Sequence, residues 1–159
     1  MRIRIVAVGK MKEDYLLKAQ KEYEKRLSRF GKIEIVEVAD EPTPENPTRA
    51  QKQSILGKEA GRIEKVVAGF PNRVVLAIEG KQETSEEFAG QISRMMQSGQ
   101  PDVCFIIGGS LGILDELKAK ATAKLSLSKM TMPHRIARIV LLEQIYRGFK
   151  ILSGETYHK

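Results

Sequence analysis

The 159-residue chain predicts an α/β fold, with a mostly parallel sheet of five or six strands, helices on both faces and a single domain over 1–159. Three observations carry this prediction. Strand-like and helix-like hydrophobic periods alternate along the chain. After a charged first residue, the runs RVVLAI and DVCFII are unbroken and apolar, as in strands covered on both faces. Glycines follow three of the strands, at Gly9, Gly80 and Gly108, where the chain must turn.

The elements follow in order. Ile3–Val8 is an apolar run ending at Gly9, a strand and then a turn. Glu13–Phe30 has apolar or aromatic residues at 15, 16, 19, 23, 27 and 30, a helical spacing, and Gly31 is placed to end that helix as C′. Ile33–Val38 alternates and is β-branched, so it is a strand. Residues 40–48, DEPTPENPT, combine three prolines with acidic and small polar residues and form a loop. Thr48 caps a helix running to about Ala68, polar enough for a solvent-facing flank. Arg73–Ile78 is a buried-type strand ending at Glu79-Gly80, and Ser85 caps a helix through about Gln97. Asp102–Ile107 is the next strand, closed by Gly108-Gly109-Ser110-Leu111-Gly112. A short helix over roughly 113–120 and a weak strand at Ala123–Leu127 precede a long helix, Pro133–Leu152, with Pro at N1. Ser153–Lys159 is a tail.

The net charge of +7 is unevenly placed. Residues 1–117 hold 18 basic and 18 acidic side chains, whereas 118–159 hold nine basic residues against Glu143 and Glu155. A neutral body with a basic C-terminal quarter points to an anionic partner, a phosphate backbone or else a membrane surface. A single cysteine excludes a disulfide framework, and two histidines disfavour a His-based metal site. No apolar run is long enough to span a bilayer, and a reduced, cytoplasmic location is expected.

In parallel sheets, ligands bind beyond the carboxyl ends of the strands. That rule selects Glu79–Lys81, Gly108–Gly112 and Ser126–His134. The segment IIGGSLG does not match G-x-G-x-x-G but does match G-x-S-x-G, with Ser110 at the nucleophile position. The order Ser110, Asp115, then His134 or His158 mimics a hydrolase triad, yet Asp115 is too close behind the turn to orient a distant histidine. A plain strand–helix turn explains the glycines equally well. The segment LSLSKMTMPH offers hydroxyls, backbone groups and adaptable methionine walls that suit an adenine ring, although a capped helix with core methionines explains it too. The last helix is apolar at 136, 139, 140, 141, 142, 145, 149, 151 and 152, more than one stripe, so a second subunit is expected on it. Tyr157 and His158 in the tail offer stacking and a titratable group.

The segments RIRIVAVGKMKEDY, KEYEKRL, VVLAIEGK, VCFIIGGSLG, LSLSKMTMPHRIARIVLLEQIYR and the terminal TYHK closely resemble the RlmH family of bacterial SPOUT-class methyltransferases. The resemblance covers essentially the whole chain. It implies methylation of N3 of a pseudouridine in a hairpin loop of large-subunit (23S) ribosomal RNA, with S-adenosyl-L-methionine as methyl donor and no metal. It implies a C-terminal trefoil knot (the alpha-beta knot of this class), which no hydrophobic period predicts because knots are nearly absent among folds. Matched motif by motif, Leu76, Gly108, Leu127, Ser128, Lys129, Met130, Thr131 and Met132 would hold the cofactor in a bent shape. An obligate homodimer with a composite active site is implied as well.

Methyl transfer to a ring nitrogen needs alignment of sulfur, methyl and nitrogen, and loss of the ring proton. His158, Tyr157, His134 and Arg147 are the candidates for that second task. RNA would be gripped by a subset of Lys118, Lys120, Lys124, Lys129, Arg135, Arg138, Arg147 and Lys150. A chain this small has little area for gripping a hairpin, so the expected substrate is the assembled ribosome. Two other functions stay open on the residues alone: a small serine hydrolase at Ser110, and a non-enzymatic RNA-binding module.

Overall fold

A computed structural model describes residues 1–159. The elements are β1 (Arg2–Val8), α1 (Asp14–Leu27), β2 (Lys32–Val38), α2 (Arg49–Val67), β3 (Asn72–Gln82), α3 (Ser85–Gln97), β4 (Val103–Ile107), α4 (Asp115–Ala119), β5 (Ala123–Ser126) and α5 (His134–Leu152). One five-stranded sheet has the order β2-β1-β4-β3-β5, and every pairing between its strands is parallel. There is no sixth strand.

Strand alternation sends successive side chains to opposite faces and builds two cores. Ile3, Ile5, Ala7, Val103, Phe105 and Ile107 face the α1, α3 and α5 side. Val6, Val8, Cys104 and Ile106 face the other side, with Ala60, Ile63 and Val67 of α2 and Leu117 of α4. Phe105 and Ile106 are each 1% exposed, and side chains so buried contribute about 1.5–3 kcal/mol apiece. Double-sided coverage is why these strands read as continuous apolar runs.

Several boundaries differ from expectation. The first helix stops at Leu27, with Ser28 still in the right-handed region, so Gly31 is not its C′ residue. A Cβ at Gly31 would lie 2.8 Å from the Met1 carbonyl oxygen, which is the reason a glycine stands there. Thr48 does cap α2, in a reciprocal pair with Gln51. Ser85 is not the cap of α3. Thr84 is, because Glu87 stands three residues on and returns the hydrogen bond to the Thr84 backbone. Pro133 has ψ of 136° and is therefore the N-cap of α5, one residue before N1.

Helix α5 packs between α1 and α3 and rests on the sheet. Ala137, Leu141, Leu142, Ile145, Tyr146 and Phe149 are buried this way. Its broad apolar surface is thus largely used inside one chain, which removes most of the argument that a second subunit must cover it.

The strand β3 is longer than the apolar run that signals it. It pairs with β5 at Leu76–Leu125, bulges outward, and rejoins at Lys81–Leu125. A Cβ at Gly80 would lie 2.8 Å from the backbone of Lys124 and Leu125, so only glycine permits this backbone-to-backbone passage. The bulge carries Ala77, Ile78 and Glu79 away from the sheet, where they form one wall of a cavity.

Candidate functional site

The cavity has a volume of about 600 Å³, within the range of small-molecule sites. It lies beyond the carboxyl ends of β3, β4 and β5, and all three segments selected by that rule contribute to it. Leu76, Ala77, Ile78 and Glu79 come from the β3 bulge. Gly108, Gly109, Ser110 and Gly112 come from the turn after β4. Leu127, Ser128, Met130, Thr131, Met132, Pro133 and His134 come from the loop between β5 and α5. Of the eight residues matched to cofactor binding, seven line the cavity, and Lys129 does not.

Local chemistry holds each wall. After β4 the chain doubles back so tightly that Gly112 N–H donates to the Gly109 carbonyl at 3.1 Å. In the third loop, the Ser126 hydroxyl donates to the Ser128 carbonyl at 3.0 Å, and Met130 N–H donates to Ser128 Oγ at 3.0 Å. At the rim, Lys118 Nζ lies 2.7 Å from Glu79 Oε1, and this hydrogen bond holds the Glu79 carboxyl below its ordinary range. The interior combines Met, Leu and Ile side chains with backbone polar groups. That is a donor set for an aromatic ring with polar edges, and the tight glycine turn leaves room for a polar chain beside it.

A second cavity of about 460 Å³ adjoins the first, and Gly109, Ser110 and His134 line both. It is lined at the ends of β1 and β2 by Gly9, Lys10, Lys12 and Asp40, and from α2 by Glu59. Glu59 is 5% exposed and has no ion pair, and burial pushes its carboxyl upward. His134 is half-buried. Burial first, then the charges of Arg135 and Arg138, lowers its pKa and favours the neutral imidazole. Nothing in the charge distribution along the chain signals this cavity. The spacing Ile55, Glu59, Ile63, Val67 does place Glu59 on the apolar stripe of α2, which is where an unpaired core carboxyl could have been noticed.

The other candidates for proton removal sit elsewhere. Arg147, Tyr157 and His158 line neither cavity. Arg147 binds Glu143 at 2.7 Å, and the Tyr157 hydroxyl donates to Glu143 at 3.2 Å. Arg147 Nη1 lies 3.2 Å from His158 Nδ1, and His158 Nε2 lies 2.7 Å from Glu86 Oε1. Guanidinium only donates and a carboxylate only accepts, so Nδ1 accepts and Nε2 carries the proton. Tyr157 also packs edge-on against Tyr146 with ring centroids 5.0 Å apart, so the tail is docked on its own chain. Burial and the Glu143 carboxylate raise the Tyr157 pKa.

Two expectations change here. Arg138 is 1% exposed and donates to Glu37, Gln20 and the Gly9 carbonyl, so it cannot touch RNA. Ser110 Oγ has one hydrogen-bond partner, Thr43 Oγ1 at 3.4 Å, and no histidine or carboxylate bound to it. Asp115 is 92% exposed and faces Lys118. A hydrolase triad is not assembled. Cys104 is no nucleophile either, since burial pushes its thiol up to about 12.

Comparison with known proteins finds one family along essentially the whole chain. A family model described as "Predicted SPOUT methyltransferase" matches residues 1–158. The ribosomal RNA large subunit methyltransferase H of Clostridium beijerinckii is 51% identical over 159 residues, covering all of both chains. That of Leuconostoc mesenteroides is 47% identical over the same span. Among solved structures, a probable methylase family protein of Haemophilus influenzae Rd KW20 superposes with a TM-score of 0.57 at 11% identity, covering 99% of this chain and 70% of that one. A Legionella pneumophila protein solved with the cofactor SAM bound gives 0.52 at 17% identity, covering 94% and 66%. These two likenesses speak to the fold.

Proposed function

Because the chain belongs to the SPOUT methyltransferase family, we propose that it methylates large-subunit ribosomal RNA with S-adenosyl-L-methionine (SAM). The observation that carries this is the cavity itself. Three loops at the carboxyl ends of β3, β4 and β5 converge on one apolar pocket with polar backbone edges. No helix of the chain is long and apolar enough to cross a membrane.

The residues present fit the methyl donor. Leu76, Leu127, Met130 and Met132 would wall the adenine, while the turn from Gly108 to Gly112 would follow the rest of the molecule. Bound there, the sulfonium supplies an activated methyl group for in-line displacement. His134 stands where the two cavities meet, neutral and thus able to accept a proton from a ring nitrogen. The finer target, N3 of a pseudouridine in the assembled ribosome, is the part of the proposal that rests on the resemblance of LSLSKMTMPH and TYHK to the RlmH family.

A homodimer belongs to the same proposal. Ile78, Met130 and Ile136 are 51%, 79% and 37% exposed, on two cavity loops and the first turn of α5. A second copy covering them would bury apolar surface. It would also let Arg147, Tyr157 and His158 of one copy approach the cavity of the other, giving a composite site.

Two measurements test the function. Calorimetric titration with SAM should show binding, and an absence of binding would undo the methyltransferase reading. Mass mapping of ribosomal RNA from a deletion strain should show one methyl group missing from a large-subunit nucleotide. A complete methylation pattern would overturn the substrate assignment.

A further inference from the structure

We infer that the second cavity seats the RNA nucleotide that receives the methyl group, with Glu59 accepting a hydrogen bond from a ring N–H and Lys10 and Lys12 holding the adjoining phosphates. The inference rests on the methyltransferase reading above and adds the place and chemistry of substrate binding.

Geometry points there first. The two cavities share Gly109, Ser110 and His134, so a ring in the second lies next to whatever occupies the first. Glu59 sits at that seam. A Cβ on Gly109 would be only 3.4 Å from Glu59 Oε2, which puts the carboxylate against the shared wall. The other oxygen is committed, accepting from Glu41 N–H at 3.3 Å.

Charge points the same way. Three of the charged side chains that line this cavity are already paired: Arg135 with Glu13, Glu41 with Arg62, and Glu37 with Arg138. Lys10, Lys12, Asp40 and Glu59 have no ion pair. A buried carboxylate without a cation is costly to keep, and such groups cluster at functional sites. The ligand that uses this set offers N–H donors inward and anionic oxygens outward. A nucleotide with an imide N–H, of the uracil type, has that pattern.

The test uses the full-length chain. Glu59→Gln keeps the shape but must turn an oxygen into an NH₂. Retaining the bond from Glu41 N–H leaves that NH₂ facing the ring N–H, donor against donor. The expected result is SAM affinity within about twofold of wild type and kcat/KM for ribosomes lacking the modification lowered about tenfold or more. The double change Lys10→Ala, Lys12→Ala should raise KM and reduce the slope of log KM against log salt by about 0.7–0.9 for each phosphate no longer neutralised. Two results would overturn the inference: wild-type kcat/KM and salt slope in both variants, or SAM affinity falling in step with methylation. A wild-type chain that binds no SAM would instead overturn the underlying methyltransferase reading, and calorimetry on the wild type separates that case.

Discussion

A Cβ on Gly108 would stand 2.7 Å from the carbonyl carbon of Gly112, well inside van der Waals contact. The turn after β4 is therefore closed against any side chain at 108. Gly108→Ala must open this loop, and overpacking of this kind costs about 1–3 kcal/mol. The expected outcome is SAM binding weakened about tenfold or more, read by calorimetry, with the fold retained by circular dichroism. Unaltered affinity would count against the loop as a cofactor wall.

Ionised Glu59 in the core comes at a cost to stability. Burial dominates, Asp40 and Glu41 add to it, and Arg62 and the Glu41 N–H partly offset it. The folded-state pKa is raised, so the contribution to stability is fully present below the ordinary carboxylate range. It is lost as pH rises through the raised value. Glu59→Gln should thus raise Tm near neutral pH, with each ~1 kcal/mol worth about 2–4 °C, and the gain should shrink in acid. A gain independent of pH would show that ionisation is not its origin.

Arg138 ties α5 to the end of β2 through Glu37 at 3.1 Å, and to α1 through Gln20 at 3.0 Å. Truncating one partner of a fully buried pair costs about 3–5 kcal/mol, and the loss here is smaller because Glu37 is 33% exposed and keeps the Met11 N–H. Arg138→Met should lower the urea midpoint accordingly. In a double-mutant cycle, adding Glu37→Gln should cost less than the two single changes together. Additivity would mean that the pair is not coupled.

Ser110 has no activating base. Ser110→Ala should leave SAM affinity within about twofold, the ordinary range for a substitution that breaks no special contact. A fluorophosphonate probe should leave the wild-type chain unlabelled at this residue, and labelling there would revive the hydrolase alternative.

Much of the fold was legible because periodicity is local. Apolar runs marked β1, β3 and β4, i/i+3/i+4 spacing marked the helices, and turn residues marked the ends. The cap of α3 lies one residue before the position the sequence predicts because Thr84 and Ser85 are equivalent as residue types, and only the reciprocal bond with Glu87 separates them. The three cavity loops were legible for a topological reason, since parallel strands present their carboxyl ends together. The second cavity was not, because Lys10, Asp40 and Glu59 come from three separate segments that no period connects.

By itself, then, the sequence determined the alternation of strands and helices, the doubly buried sheet, the glycine turns and the family. Each depends on neighbours in the chain or on motifs read in order. Only the tertiary structure decided that β3 bulges between Leu76 and Lys81 to open a cavity, and that Arg138 is buried. It also decided that Tyr157 and His158 dock on α5 and α3 while His134 stands between two cavities. These depend on distances between residues far apart in the chain, and such distances exist only once the sheet order β2-β1-β4-β3-β5 has formed.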